Sequence, residues 1–251
     1  MTRTAVFVGD VHLDDEVPER IDRFERFLFR DLPRMGCDKF YLLGDIFNIW
    51  YRDRPLAERY GERVLALLSK YTREVGELEF VVGNRDFALG FTRELDLPFP
   101  LHLRAIRRRL GAREFHLCHG DDLCVRDHGY RLLHGTIRRR IPMAAFHALG
   151  SGPKRKIVEL LISLSHEAKK RKARWRMEPY VPCMNSLVDA GADVIVQGHK
   201  HEQSYRTLFG KRRAGKHFIL PWWLDPPGAD PCARGLIYEI EADRFRFFGL
   251  R

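Results

Sequence analysis

The feature that most constrains this chain is a pattern that recurs five times. A short run of β-favouring apolar residues ends in a polar cluster, usually just after glycine. Ala5-Val6-Phe7-Val8 leads to Gly9-Asp10-Val11-His12, and Phe40-Tyr41-Leu42-Leu43 leads to Gly44-Asp45. Leu78-Glu79-Phe80-Val81-Val82 leads to Gly83-Asn84-Arg85-Asp86. Glu114-Phe115-His116-Leu117-Cys118 leads to His119-Gly120-Asp121, and Asp193-Val194-Ile195-Val196-Gln197 leads to Gly198-His199-Lys200-His201. Helix-like stretches at about 19 to 35 and 56 to 75 separate the early runs. This alternation predicts an α/β fold, a buried and largely parallel sheet flanked by helices. Sites in open α/β sheets form beyond the carboxyl ends of the strands, where all five polar clusters would lie.

The 251 residues suffice for a single domain, 1–251, carrying a helical insertion at about 126–182. Within that insertion, Ile157-Val158-Glu159-Leu160-Leu161-Ile162-Ser163-Leu164 reads as an apolar-faced helix, and Gly150-Ser151-Gly152-Pro153 separates two helical segments. The tail returns to short strands at 217–220, 236–240 and 244–248, expected to complete a second sheet. No stretch supplies the roughly 18 to 20 uninterrupted apolar residues of a spanning helix. The N-terminus has no signal-peptide architecture, and the five cysteines show no CxxC pairing. Both features lead to an expectation of cytoplasmic residence under reducing conditions.

Net charge is +10, and its placement is local. Residues 131 to 182 hold thirteen basic and three acidic side chains, while the rest of the chain balances. Such a segment suits phosphate-bearing or anionic-surface partners.

The donor types in the five clusters point to divalent metal. Hard or borderline ions such as Mn²⁺, with Fe or Zn as alternatives, take carboxylate, imidazole and amide oxygen ligands. Two such ions, roughly 3.5–4 Å apart and sharing a carboxylate, clamp the attacking and leaving oxygens of an in-line displacement at phosphorus. Asp10 and His12 stand two apart on what reads as an extended segment, so both face one way, and His199 and His201 repeat the spacing. Asp45 suits a bridge, Asn84 supplies a neutral oxygen and His119 another imidazole. Each motif alone has a plainer explanation: Asp after a strand as a helix cap, His-x-His as a surface pair, Gly-Asn-Arg-Asp as a turn. Their joint occurrence at five strand ends does not.

These clusters, in order and spacing, resemble the five blocks of the calcineurin-like metallophosphoesterases. The resemblance implies a four-layer αββα sandwich with a helical cap. It implies one ion on Asp10, His12, Asp45 and His201, a second on Asp45, Asn84, His119 and His199, and a metal-bound water or hydroxide as nucleophile. Many members carry Gly-Asn-His at the third block, where the histidine assists the leaving group; here the residue is Arg85. A guanidinium cannot be a general acid at neutral pH, but it can hold phosphate oxygens bidentately.

Arg85 points to a narrower likeness. Leu43-Gly44-Asp45-Ile46-Phe47 with Trp50, Gly83-Asn84-Arg85-Asp86-Phe87, and His119-Gly120-Asp121 with Leu123-Cys124, Asp127 and Gly129-Tyr130 resemble the UDP-2,3-diacylglucosamine hydrolases of lipid A synthesis. So does Ser165 with Glu167-Ala168. That resemblance implies hydrolysis of the pyrophosphate of a UDP-linked diacylated sugar, releasing UMP and 2,3-diacylglucosamine 1-phosphate. It implies peripheral association with the inner face of the membrane, with the insertion as a cap over the acyl chains. No obligate protein partner is expected. By position, Asn84, Arg85, Asp127, Ser165, Lys169, Lys172 and His199 would contact substrate. The chain departs from the pattern at Asn48, where the family has an acidic residue. It also departs at Tyr51-Arg52-Asp53-Arg54, where a Gly-Asp-Asp stands, and at Lys169, in place of asparagine. All lie outside the metal ligands and bear on the sugar-nucleotide contacts.

The leading alternative is a two-metal nuclease or nucleotide phosphodiesterase whose basic insertion tracks a phosphate backbone. Against it, the apolar residues among those charges are aliphatic, with only Trp175 and Tyr180 near them to stack on bases. A scaffold that has lost catalysis is disfavoured by the complete ligand set.

Overall fold

A computed structural model describes residues 3–14, 17–48, 50, 60–86, 88–89, 96–137, 140–150, 152–154, 156–157, 159–160, 163, 175, 178–223 and 232–250. Its strands are β1 (Thr4–Val8), β2 (Cys37–Leu43), β3 (Glu77–Val81), β4 (Leu101–His102), β5 (Ile106–Leu110) and β6 (Arg113–Cys118). They continue with β7 (Val194–Gln197), β8 (Ser204–Phe209), β9 (Ala214–Ile219), β10 (Ala233–Glu239) and β11 (Arg244–Leu250). One sheet has the order β11-β10-β1-β2-β3-β4, the other β5-β6-β7-β9-β8.

The alternation of side chains explains why both sheets are covered on both faces. On β1, Ala5 and Phe7 point between the sheets, while Val6 and Val8 point to the helices. On β7, Val194 and Val196 point between the sheets, and Ile195 points outward. Three apolar layers result, and with them the four-layer αββα sandwich. The outer layer of the first sheet comprises α1 (Pro18–Arg26), which continues through a π turn, Phe27–Asp31, into α2 (Leu32–Arg34), and α3 (Glu62–Glu74). The second sheet is covered by α6 (Val181–Asp189) through Met184 and Val188. Between the sheets, Phe115 stacks on Phe7 at 5.7 Å and packs against Tyr238 at 5.0 Å.

Two expectations change. The tail divides between the sheets: β9 joins the second, but β10 pairs antiparallel with β1 and β11 with β10, extending the first. Neither sheet is simply parallel, because each acquires antiparallel edge strands. Strands β4, β5 and β8 went unread because their chemistry hides them. β5 is Ile-Arg-Arg-Arg-Leu, and β8 lies at an edge with Tyr205 and Phe209 facing outward.

Within the insertion, α4 (His128–Ile137) and α5 (Arg140–Ala148) are helical, as is the described chain at 152–154, 156–157, 159–160 and 163. Met143 of α5 is buried in the first core with Phe146 against it, which docks this helix on the sandwich.

Two histidines away from the site are buried neutral. Burial, then the Arg206 charge, pushes His217 down to about 3; burial, then Arg107, pushes His116 down to about 4. An unfolded histidine titrates near 6.5, so the unfolded state takes up the proton first and stability falls as pH drops below that value. Between about pH 7 and about pH 5.5, His217 should cost about 1.2 kcal/mol of unfolding free energy. Urea denaturation of His217→Gln at both values should show a loss smaller than wild type by that amount; equal losses would mean His217 is not buried neutral.

Candidate metal centre

All five polar clusters lie past strand ends, and three of them sit on an unusual backbone. Asp10 (φ 53°), His12 (φ 51°), Asp45 (φ 53°), His199 (φ 70°) and His201 (φ 58°) are left-handed; among the described residues the only other non-glycine with positive φ is Asp243. Such a conformation is costly for a side-chain-bearing residue and persists where surroundings enforce it, typically at functional sites. The Asp10–His12 segment is therefore not the extended stretch expected from its spacing. The pair still converges, because both residues adopt the same left-handed turn past β1.

Backbone bonds enforce the shape. The Asp10 N–H donates to Gly44 O at 3.0 Å and the His12 N–H to Asp45 O at 3.0 Å, carrying the β1–β2 register past the strands. Close approach requires the glycines that precede the candidate ligands. A Cβ on Gly44 would lie 2.5 Å from His119 Nδ1, and one on Gly198 would lie 2.5 Å from Asp10 Oδ2.

The side chains form one connected cluster. Asp10 Oδ1 lies 3.2 Å from His201 Nε2 and 3.9 Å from His12 Nε2, and the two imidazole nitrogens are 3.2 Å apart. The His199 N–H donates to Asp10 Oδ2 at 2.8 Å. His119 Nδ1–H donates to Leu43 O at 3.0 Å, which turns Nε2 toward Asn84 Oδ1 at 3.0 Å, His199 Nδ1 at 3.2 Å and Asp45 Oδ1 at 3.6 Å. Two groups of donors are close enough to share an ion: Asp10, His12 and His201, and Asp10, Asp45 and His119. Asp10 belongs to both.

The electrostatics fit cations. Asp10 and Asp45 are almost wholly buried, and Asp10 Oδ1 has no hydrogen-bond partner. Burial raises the Asp45 pKa, and the Asp10 charge adds to it. His119 is pulled down by burial but pushed up to about 9 by Asp45, Asp10 and Asp121. His12 is pushed down to about 3 by burial, against the pull of Asp10. Buried carboxylates with an orphaned oxygen, compensated by titrating imidazoles and by the Arg85 charge beside Asp45, are the environment a divalent ion stabilises. The donors are all oxygen and nitrogen; Cys118 and Cys124 are buried with thiols pushed far up by burial.

A calcineurin-like phosphoesterase family model matches residues 4–203. The chain belongs to that family. This phosphoesterase is accordingly a hydrolase of phosphate bonds that works with divalent metal. It is 29% identical over 238 residues to a protein named UDP-2,3-diacylglucosamine hydrolase from Stenotrophomonas maltophilia, covering 88% of this chain and 92% of the relative. It is 28% identical over 225 residues to one of the same name from Escherichia coli, covering 87% and 90%. Among solved structures, a dimetal phosphatase from Danio rerio has the same fold, with a TM-score of 0.57 at 16% identity over 99% of this chain and 96% of that one.

Around the phosphoesterase centre, Arg85 is braced rather than free. Its N–H donates to Asp45 Oδ1 at 2.8 Å, and its Nη1 reaches Asn48 O at 3.2 Å and Asn48 Oδ1 at 3.3 Å. Asn48 thus takes an arginine contact at a position where an acidic residue was expected. Asp127 is buried just before α4. Ser165, Lys169, Lys172 and the Tyr51–Arg54 departure lie outside the described residues.

Two residues without an assigned role shape the centre. Trp222 lies over His201 with ring centroids 4.5 Å apart, and 6.2 Å from His12; only its distance along the chain hid it. Asp86 stood in the third motif but carries no ligand role. Fully buried, it accepts the Gly83 N–H at 2.5 Å and the Ile46 N–H at 2.8 Å, locking the Asn84 loop to the Asp45 loop. Replacing Asp86 with Ala strands two buried N–H groups at about 1–3 kcal/mol each. D86A should unfold about 2–5 kcal/mol more easily and bind Mn²⁺ more weakly, with D86N in between. Unchanged stability and metal affinity by denaturation and calorimetry would refute the lock.

Proposed function

We propose that the chain hydrolyses the pyrophosphate of UDP-2,3-diacylglucosamine to UMP and 2,3-diacylglucosamine 1-phosphate. In this proposal two divalent ions, Mn²⁺ by preference, are held by Asp10, His12, Asp45, Asn84, His119, His199 and His201. When bound, such ions supply charge neutralisation at phosphorus and acidify a water. The observation that carries the reaction type is the convergence of these N and O donors around buried carboxylates. The substrate is supported by relatives of that name, which align with most of this chain and most of their own length.

Arg85 gives the substrate a chemical reason. An alkoxide leaving group needs a proton, whereas a phosphate monoester leaves as a stable anion, with a second pKa of about 6. Attack at the nucleotide phosphorus expels a sugar 1-phosphate, so the third motif has no need of an acid. It needs a fixed cation for the non-bridging oxygens. Arg85, braced by Asn48 beside Asp45, provides one.

The acyl chains and the membrane fall to the insertion. Leu132 of α4 and Ile141 of α5 are 75% and 83% exposed, and Leu160 is 59% exposed. Bare aliphatic side chains on short helices within a basic segment suit a cap that receives acyl chains and rests peripherally on the anionic inner face of the membrane. Asp127, Ser165, Lys169 and Lys172 complete the proposed substrate contacts. No helix among the described residues is long and apolar enough to cross a membrane.

Incubating the Mn²⁺-loaded protein with UDP-2,3-diacylglucosamine should release UMP. Release of UDP, or no turnover, would defeat the substrate assignment. Arg85→Ala should lower kcat about 10²–10³-fold with metal content unchanged, the range seen when one charge-stabilising donor is removed. Loss of metal in that variant would instead make Arg85 part of the metal scaffold.

A further inference from the structure

Where the insertion rejoins the sandwich there is a cavity of about 290 Å³. Arg126, Trp175, Glu178, Tyr180 and Arg206 line it. The Arg126 guanidinium lies 4.4 Å from the Tyr180 ring and 5.4 Å from the Trp175 ring, so two aromatic faces hold it in place. Arg206 enters from β8 on the second sheet. Neither arginine makes an ion pair among the described residues. Glu178, the acid of the lining, is tied to Lys200 at 2.5 Å, which leaves the two guanidiniums without an acidic partner among the described residues.

We propose that this cavity is a binding site for a phosphate monoester. A pre-positioned arginine, whose planar fork matches phosphate oxygens, and a second arginine lining the same small cavity provide the charge and the geometry for a dianion. The exposed part of Trp175, at 52%, gives a nucleobase a surface to stack on. The site is wired to the metal loops at two points. Lys200 lies between His199 and His201, and the Tyr180 N–H donates to Leu123 O at 2.9 Å, on the loop that follows His119. If the reaction proposed above holds, both products are phosphate monoesters, and the cavity is a product-sensing or product-release site. Binding of the anion itself does not rest on that reaction.

The test is calorimetric titration of the metal-loaded full chain with UMP and, separately, with inorganic phosphate, in wild type, Arg126→Ala, Arg206→Ala and His119→Ala. The expected result is binding that weakens at least tenfold in each arginine variant and survives in His119→Ala. UMP binding more tightly than phosphate identifies the nucleotide as the source; equal affinities identify phosphate alone. Turnover of a small chromogenic diester should be unchanged in the two arginine variants, which also shows that they are folded. No binding of either anion, or binding lost only in His119→Ala, overturns the proposal. Failure to hydrolyse UDP-2,3-diacylglucosamine by protein that still binds UMP through Arg126 and Arg206 would count against the reaction alone.

Discussion

Everything in this molecule is arranged around one electrostatic problem: Asp10 and Asp45, two carboxylates buried side by side past the ends of β1 and β2. In isolation such burial would be prohibitive. Among the described residues the chain relieves it only slightly with permanent cations. It surrounds the pair with imidazoles, and leaves Asp10 Oδ1 without a hydrogen bond. Among the described residues only Arg85, whose Nε stands 3.9 Å from Asp45 Oδ2, brings a permanent cation near. A fold that keeps the buried Asp45 carboxylate under-compensated, its pKa raised by burial and by the Asp10 charge, is organised for cations from outside.

The sandwich makes that arrangement rigid. Parallel β1, β2 and β3 bring three loops to one edge, and β6 and β7 of the facing sheet bring two more. The loops are bound to each other rather than to solvent: Asp10 to Gly44, His12 to Asp45, Asp86 to both Gly83 and Ile46. Left-handed candidate ligands on three of the loops, and the glycines beside them, are the local cost of packing five loops into so small a space. The π turn in the first helix places Asp31 under Arg23, whose buried guanidinium also reaches Leu250 O at 2.9 Å, tying the helical layer to the β11 edge.

Much of this was legible because strand ends and ligands share a code. Apolar runs buried on both faces announce themselves, and each terminates in the residue that matters. Donor type, spacing and strand-end position named the seven candidate ligands, and the resemblance divided them between two ions. The left-handed backbone did not, since nothing in Gly-Asp-Val-His distinguishes an extended segment from two left-handed turns. The assignment of β10 and β11 was missed because pairing across more than two hundred residues, such as Phe7 with Leu236, leaves no local mark. Strand β5 was masked by three consecutive arginines, one of which, Arg108, pairs with Glu79 across the sheets. Trp222 is invisible for the same reason as β10: its partner His201 is distant in the chain and close only in space.

The central claim is that one buried carboxylate pair holds two ions close enough to share a ligand. Low-temperature electron paramagnetic resonance of the protein loaded with Mn²⁺ tests it directly. A shared carboxylate at a separation of roughly 3.5–4 Å couples the two spins, giving a multiline spectrum with about half the single-ion hyperfine spacing. Replacing Asp10, the donor common to both groups, with Asn should collapse it. A simple sum of uncoupled single-ion signals at full metal loading would contradict the account.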